Sequence, residues 1–163
     1  MPRRVFFTFN YERDLWRATN VRNSWAGPEK QAVGFWDAAL WEEAKKRGDE
    51  IVKKMILKEL DNTSVTVVLI GSETSNNPWV NLAIVESYKR SHGLLGVYID
   101  KISDTKGNVE KHGDNPFDYI YINNSDGSVT HFSKLYLTYE YMDQNGFLDF
   151  GKWIEFTAQR ASK

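Results

Sequence analysis

Residues 65–70, Val-Thr-Val-Val-Leu-Ile, form an almost unbroken apolar run, and residues 94–99, Leu-Leu-Gly-Val-Tyr-Ile, repeat the pattern. Runs of this length without polar alternation predict strands covered on both faces. A third run, Val-Phe-Phe-Thr-Phe at 5–9, predicts a buried first strand, and 33–36 a weaker second one. Between these runs the apolar period changes to that of helices. Leu15, Ala18, Val21 and Trp25 make one stripe over 14–25, ended by Gly27-Pro28. Ile51, Val52, Met55, Ile56 and Leu60 share one face of a helix predicted over 42–60. Its other face carries Lys45, Lys46, Lys53, Lys54 and Lys58 interspersed with acids, which makes a solvated surface rather than a basic patch. Pro78 suits the first turn of a helix over 79–90, with Asn76 or Asn77 as its cap. Beyond Lys101 the pattern weakens into a loop-rich stretch with short strands near 119–122 and 129–132, closed by an amphipathic helix over 150–161. Strands alternating with helices predict βαβ units and a parallel sheet, hence an α/β fold in one domain spanning 1–163.

Composition narrows the chemistry. The chain has 163 residues, a net charge of −1, 41% hydrophobic and 14% aromatic residues, and no cysteine. It is therefore rich enough in apolar residues to form a core, and thiolate metal sites, disulfides and cysteine nucleophiles are excluded. Balanced charge argues against a nucleic-acid partner, and no apolar run is long enough to span a bilayer. The N-terminal Met-Pro-Arg-Arg, followed at once by strand-forming residues, lacks a cleavage region, so a cytoplasmic location is expected. Neither a dinucleotide-binding glycine fingerprint nor a P-loop is present. His92, His112 and His131 lie in or near turns without metal-ligand spacing, so they read as solvated loop histidines, with no metal and no resident cofactor expected.

In an open parallel sheet the ligand crevice lies beyond the carboxyl ends of the strands, which points to the loops at 8–13, 37–41 and 71–79. The last of these leads into a helix N-terminus, which favours an anionic ligand. Every parallel α/β domain has such loops, so position alone assigns no function.

Specific segments go further. Ser64–Gly71, a polar loop, and then Trp79-Val80 followed by Ile84 resemble the third strand and following helix of TIR domains. More closely, the chain resembles the TIR-like ThsB proteins of bacterial Thoeris anti-phage defence. The likeness is carried by Arg4–Tyr11, Val21–Trp25, Asp37–Glu42, Asn62–Gly71 and Asn115–Tyr119, in order over a core of about 4–122. Residues 123–163 match poorly. The resemblance implies a flavodoxin-like TIR fold, with a parallel sheet of about five strands flanked by helices on both faces. It implies an enzyme that cleaves NAD+, as substrate, between nicotinamide and ribose. The ADP-ribose part becomes a nucleotide signal, a cyclic ADP-ribose isomer or a histidine conjugate, which activates the effector ThsA after phage infection. A phage-protein trigger and a homo-oligomer are further partners to consider.

Breaking the N-glycosidic bond builds positive charge on the ribose, and a fixed carboxylate nearby stabilises it. In TIR enzymes that group is a Glu four residues after the Trp, one turn along the same helix face. Counting from Trp79, that position is Ala83, so the chain as written is expected to be inactive. Three readings stand: an engineered Glu→Ala change, which one substitution would reverse; a natural member that binds without cutting; or a shifted register with Glu86 as the acid. Glu86 lies about 60° around and about 4.5 Å along the helix from position 83, which disfavours it. The other expected site residues are Phe7, Thr8, Asn10 and Tyr11 after strand one, Asp37 and Trp41 from the second loop, Ser72 and Thr74 for phosphate, and Trp79. A different class, a non-catalytic TIR adaptor acting by self-association or by sensing a phage protein, is the alternative.

Overall fold

A computed structural model describes residues 3–162. The five strands of its main sheet are β1 (Arg3–Thr8), β2 (Lys30–Val33), β3 (Val65–Ile70), β4 (Gly93–Tyr98) and β7 (Thr138–Glu140). They run parallel in the order β2-β1-β3-β4-β7. β3 sits at the centre and every one of its side chains is buried, as an unbroken apolar run requires. Side chains alternate across the pleat, so each strand feeds two cores. Val5, Phe7, Val67, Leu69, Leu95 and Val97 meet α1 (Tyr11–Ser24) and α6 (Gly146–Ala161) on the first face. On the second face Phe6 meets α2 (Ala38–Arg47), α3 (Asp49–Leu60) and α4 (Pro78–Lys89) through Trp41, Ala44, Val52, Ile56, Leu60 and Ala83.

The α/β architecture matches the expectation, with differences of detail. Helix 42–60 is two helices, because Gly48 takes φ +115°, a conformation open to glycine, and breaks the hydrogen-bond ladder. Asp37–Trp41 is accordingly not a free loop: Asp37 caps α2, and Trp41 lies inside it. The second strand lies three residues earlier than its apolar residues suggest, since Gly34 turns the chain at φ +83°. Tyr119 is 63% exposed, whereas Phe117 is fully buried.

The weakly patterned C-terminal stretch completes the fold. β5 (Tyr121–Asn123) and β6 (Val129–His131) form a separate antiparallel hairpin. Phe132, which opens the short α5 (Phe132–Leu135), packs with Phe117 over Ile70, Val80 and Ile84. β7 adds the fifth strand, and α6 buries Phe150, Trp153 and Ile154 over the first face.

α4 begins at the carboxyl end of the central strand and therefore runs down the second face. Pro78 occupies its first turn, and Asn77 accepts the N–H groups of Trp79 at 2.9 Å and Val80 at 3.2 Å. These bonds satisfy donors that the helix itself leaves open. An Asn77→Ala variant is expected to lose about 1 kcal/mol in urea denaturation.

Candidate functional site

At the carboxyl ends of β1 and β2 the chain gathers aromatic rings. Asn10 caps α1, its side chain accepting the Glu12 N–H at 3.1 Å. The next residue, Tyr11, donates its hydroxyl to the Gly34 carbonyl and accepts the Trp36 N–H at 3.1 Å. Burial pushes this phenol far above its ordinary value, although the Trp36 N–H opposes the shift, so it remains a neutral donor. Its ring stacks on Trp41, with centroids 4.4 Å apart and planes 15° apart, and Trp36 lies nearly parallel to Trp41 at 5.8 Å. Trp41 is buried, while Tyr11, Trp36 and Trp79 are half-buried and give this wall its solvent edge.

Ala83 joins the same cluster. It is fully buried on the sheet-facing side of α4, in the core that contains Phe6 and Trp41 and against which Tyr11, Trp36, Trp79 and Leu82 pack. The structure thus brings together four of the expected residues, Tyr11, Trp41, Trp79 and Ala83. Thr8 ends β1 nearby and is 6% exposed. Phe7 does not join them. The pleat turns it to the first face, where its ring lies 5.2 Å from Phe35 and 6.0 Å from Trp25 and Phe150. Asp37 is exposed, and its carboxylate accepts the Leu40 N–H at 2.8 Å.

Two further acids, Glu12 beside the wall and Glu86 on α4, are occupied by cations. Burial would raise Glu12, but the Lys45 ammonium bonded to it holds it below its ordinary value. Glu86 is held low chiefly by Arg90, which contacts it at 2.8 Å, with Lys89 at 3.2 Å. Because Arg90 also reaches Asp61 at 2.9 Å, this network lies at the amino end of the sheet. Glu86 is therefore one end of α4 away from the aromatic wall.

The loop after β3 has a different character. Gly71 donates its N–H to Thr74 Oγ1 at 2.7 Å, so the fully buried Thr74 hydroxyl holds the turn. Ser72 donates to Glu110 Oε1 at 3.1 Å. A side chain on Gly71 would collide with the carboxylates of Asp14 and Glu110, which converge there. Asp14 is fully buried, and Arg17 stands 3.6 Å from both acids, with Arg13 3.3 Å from Glu110. Burial first, and then Glu110, push Asp14 up to about 8. Glu110 goes the other way: burial opposes its ionisation, but the Asp14 proton and Arg17 keep it below its ordinary value. One proton is therefore held between two carboxyl groups, supplying a donor where both Asp14 oxygens and Glu110 Oε2 otherwise have none. Sequence reasoning missed this pair. Asp14 stood at the edge of the apolar stripe of α1, which was a usable signal, but Glu110 lies in a stretch with no periodicity.

His112 is exposed, as a solvated loop histidine would be, yet it has specific partners. Its ring stacks on Tyr98 at 3.9 Å, its Nδ1 stands 3.2 Å from Asp100 Oδ2, and Glu140 lies in the same cluster. His131 borders Tyr121 on the hairpin, and His92 follows α4 at the opposite end of the sheet.

Comparison with known proteins gives two concordant findings. Residues 6–104 match the family model described as Thoeris protein ThsB, TIR-like domain. Over 159 residues the chain is 41% identical to a protein of Bacillus cereus (strain MSX-D12) named as a candidate cyclic ADP-D-ribose synthase, ThsB1. That alignment takes in 96% of this chain and 76% of the relative.

Proposed function

The chain belongs to the family of TIR-like domains of Thoeris ThsB, and from that premise we propose that its aromatic wall binds NAD+. The reaction of its lineage is cleavage of the nicotinamide–ribose bond, followed by closure of the ADP-ribose part into a cyclic nucleotide signal for the effector ThsA. The relative's name, a candidate cyclic ADP-D-ribose synthase, supports this reaction class. In the proposal, the half-buried Trp36 and Trp79 rings, at the rim of the Tyr11–Trp41 stack, offer aromatic surface to the nicotinamide. The phosphates lie toward the N-terminus of α4, whose positive dipole end favours an anion although Asn77 already caps its first N–H groups.

The observation that carries the reading is the place of Ala83. It stands one helical turn below Trp79 and inside the cluster of Trp41 and Tyr11, where a carboxylate would meet the ribose. Departure of neutral nicotinamide leaves a cation at the sugar, and a methyl group cannot stabilise it. The chain as it stands therefore holds the dinucleotide without cutting it. Incubated with NAD+, the protein should broaden the nicotinamide proton resonances saturably while releasing no nicotinamide on chromatography. Rapid release would sink the inactive form. Absence of any binding would favour the non-catalytic adaptor.

A further inference from the structure

β4 and β7 pair in parallel with Tyr98 opposite Glu140, and Asp100 follows two residues beyond Tyr98, in the turn after the strand. The loop after β4 then returns over this corner. Its path is tied by the Glu110 N–H donating to the Asp100 carbonyl at 2.9 Å, and it lays the His112 ring on Tyr98. One ligand atom from each of Asp100, His112 and Glu140 comes within 4.8 Å of the others.

The charges at this corner do not balance. Asp100 is 2% exposed, and although its Oδ2 meets His112 Nδ1, its Oδ1 has no hydrogen-bond partner among the described residues. A buried carboxylate oxygen without a donor is unfavourable, so this group is poised toward something. No ion pair to Glu140 is found among the described residues, and the neighbouring Lys101 bonds instead to Asp143 at 2.6 Å.

We propose that Asp100, His112 and Glu140 form a binding site for a divalent transition-metal ion. Two carboxylate oxygens and one imidazole nitrogen are the donor set for Zn2+ or Mn2+, and the nitrogen selects against Mg2+. The ion takes the orphaned Asp100 oxygen and the free Glu140 carboxylate together, and water completes its coordination. The Tyr98 ring sets the plane of the imidazole, so the site is organised before the ion arrives. Its structural effect is to pin the loop that carries Glu110 back onto the sheet edge, at a distance from the aromatic wall.

The test uses the full chain after chelator treatment, titrated calorimetrically with Zn2+ alone and then with Mn2+ and Mg2+. One equivalent of Zn2+ is expected to bind, to raise the melting temperature, and to shift the His112 ring-nitrogen resonances while those of His131 stay in place. Mg2+ should bind far more weakly. Glu140→Gln keeps the side chain's shape and should weaken Zn2+ binding about tenfold or more, His112→Ala at least as much, and His131→Ala not at all. Failure of the unaltered protein to bind Zn2+ would overturn the proposal. So would equal affinity in Glu140→Gln and His112→Ala, because the ion would then sit elsewhere.

Discussion

An Ala83→Glu variant is expected to release nicotinamide from NAD+, with a gain on the order of 10²–10³-fold over the unaltered chain. The size follows from the charge that forms in the reaction. A carboxylate fixed beside the ribose interacts little with neutral ground-state sugar but strongly with the developing cation, so its effect falls on the transition state. Side chains on a helix lean toward its N-terminus, and α4 begins at the ligand end of the sheet. A glutamate at 83 would therefore extend up toward Trp79 and the first turn, whose dipole favours its ionised form. The substitution also enlarges a fully buried alanine packed against Phe6 and Trp41. A loss of about 1–3 kcal/mol in stability should accompany the gain in activity. Ala83→Gln separates the two effects, since it adds the same bulk without the charge. It should be destabilised to a similar extent and remain inactive. If Ala83→Glu folds, binds NAD+ and stays as silent as Ala83→Gln, the electrostatic account of this pocket is wrong.

The second large effect is expected from pH. Asp14 ionises near its ordinary 3.8 when unfolded, but at about 8 in the folded protein. Between those values the native state keeps a proton that the unfolded chain has lost, so stability falls as pH rises through this window. Glu110 contributes with the opposite sign. Its folded value lies below the ordinary 4.5, so its contribution is present above that pH and disappears in acid. Together they put the pair's largest contribution near pH 4, with a decline of about 2–4 kcal/mol between pH 5 and pH 8.5 in urea denaturation. Asp14→Asn carries a neutral donor at every pH and can still bond to Glu110. Its stability should vary by less than about 1 kcal/mol across the same range and exceed that of the unaltered protein at pH 8.5. Parallel pH curves for the two proteins would show that the pair does not share a proton.

Much of the architecture was legible because it depends on local periodicity. β3 and β4 are buried on both faces, and continuous apolar runs at 65–70 and 94–99 can fold in few other ways. Pro78 with Asn77 marked the start of α4 because both act on the first turn alone. Boundaries slipped where a glycine conformation decided them. Gly48 splits one apolar stripe into two helices, a break the stripe itself does not encode. β7 has three half-buried residues, too few for any period to be read, and exists because the edge of β4 offers it partners. Of the expected site, Tyr11, Trp41, Trp79 and Ala83 meet because their strand ends and helices share one face, whereas Phe7 differs from Phe6 by one step of the pleat and faces the other core.

What the chain alone determined is the order of its elements and the place of Ala83 one helical turn after Trp79, since both rest on neighbours at fixed spacing: two residues in a strand, four in a helix. Which distant polar groups meet was decided by the tertiary structure. Asp14 and Glu110 converge at Gly71, and Asp100, His112 and Glu140 at one sheet corner, only because parallel pairing and loop return bring them there. Burial then sets their charges, and burial belongs to the packed whole rather than to any segment.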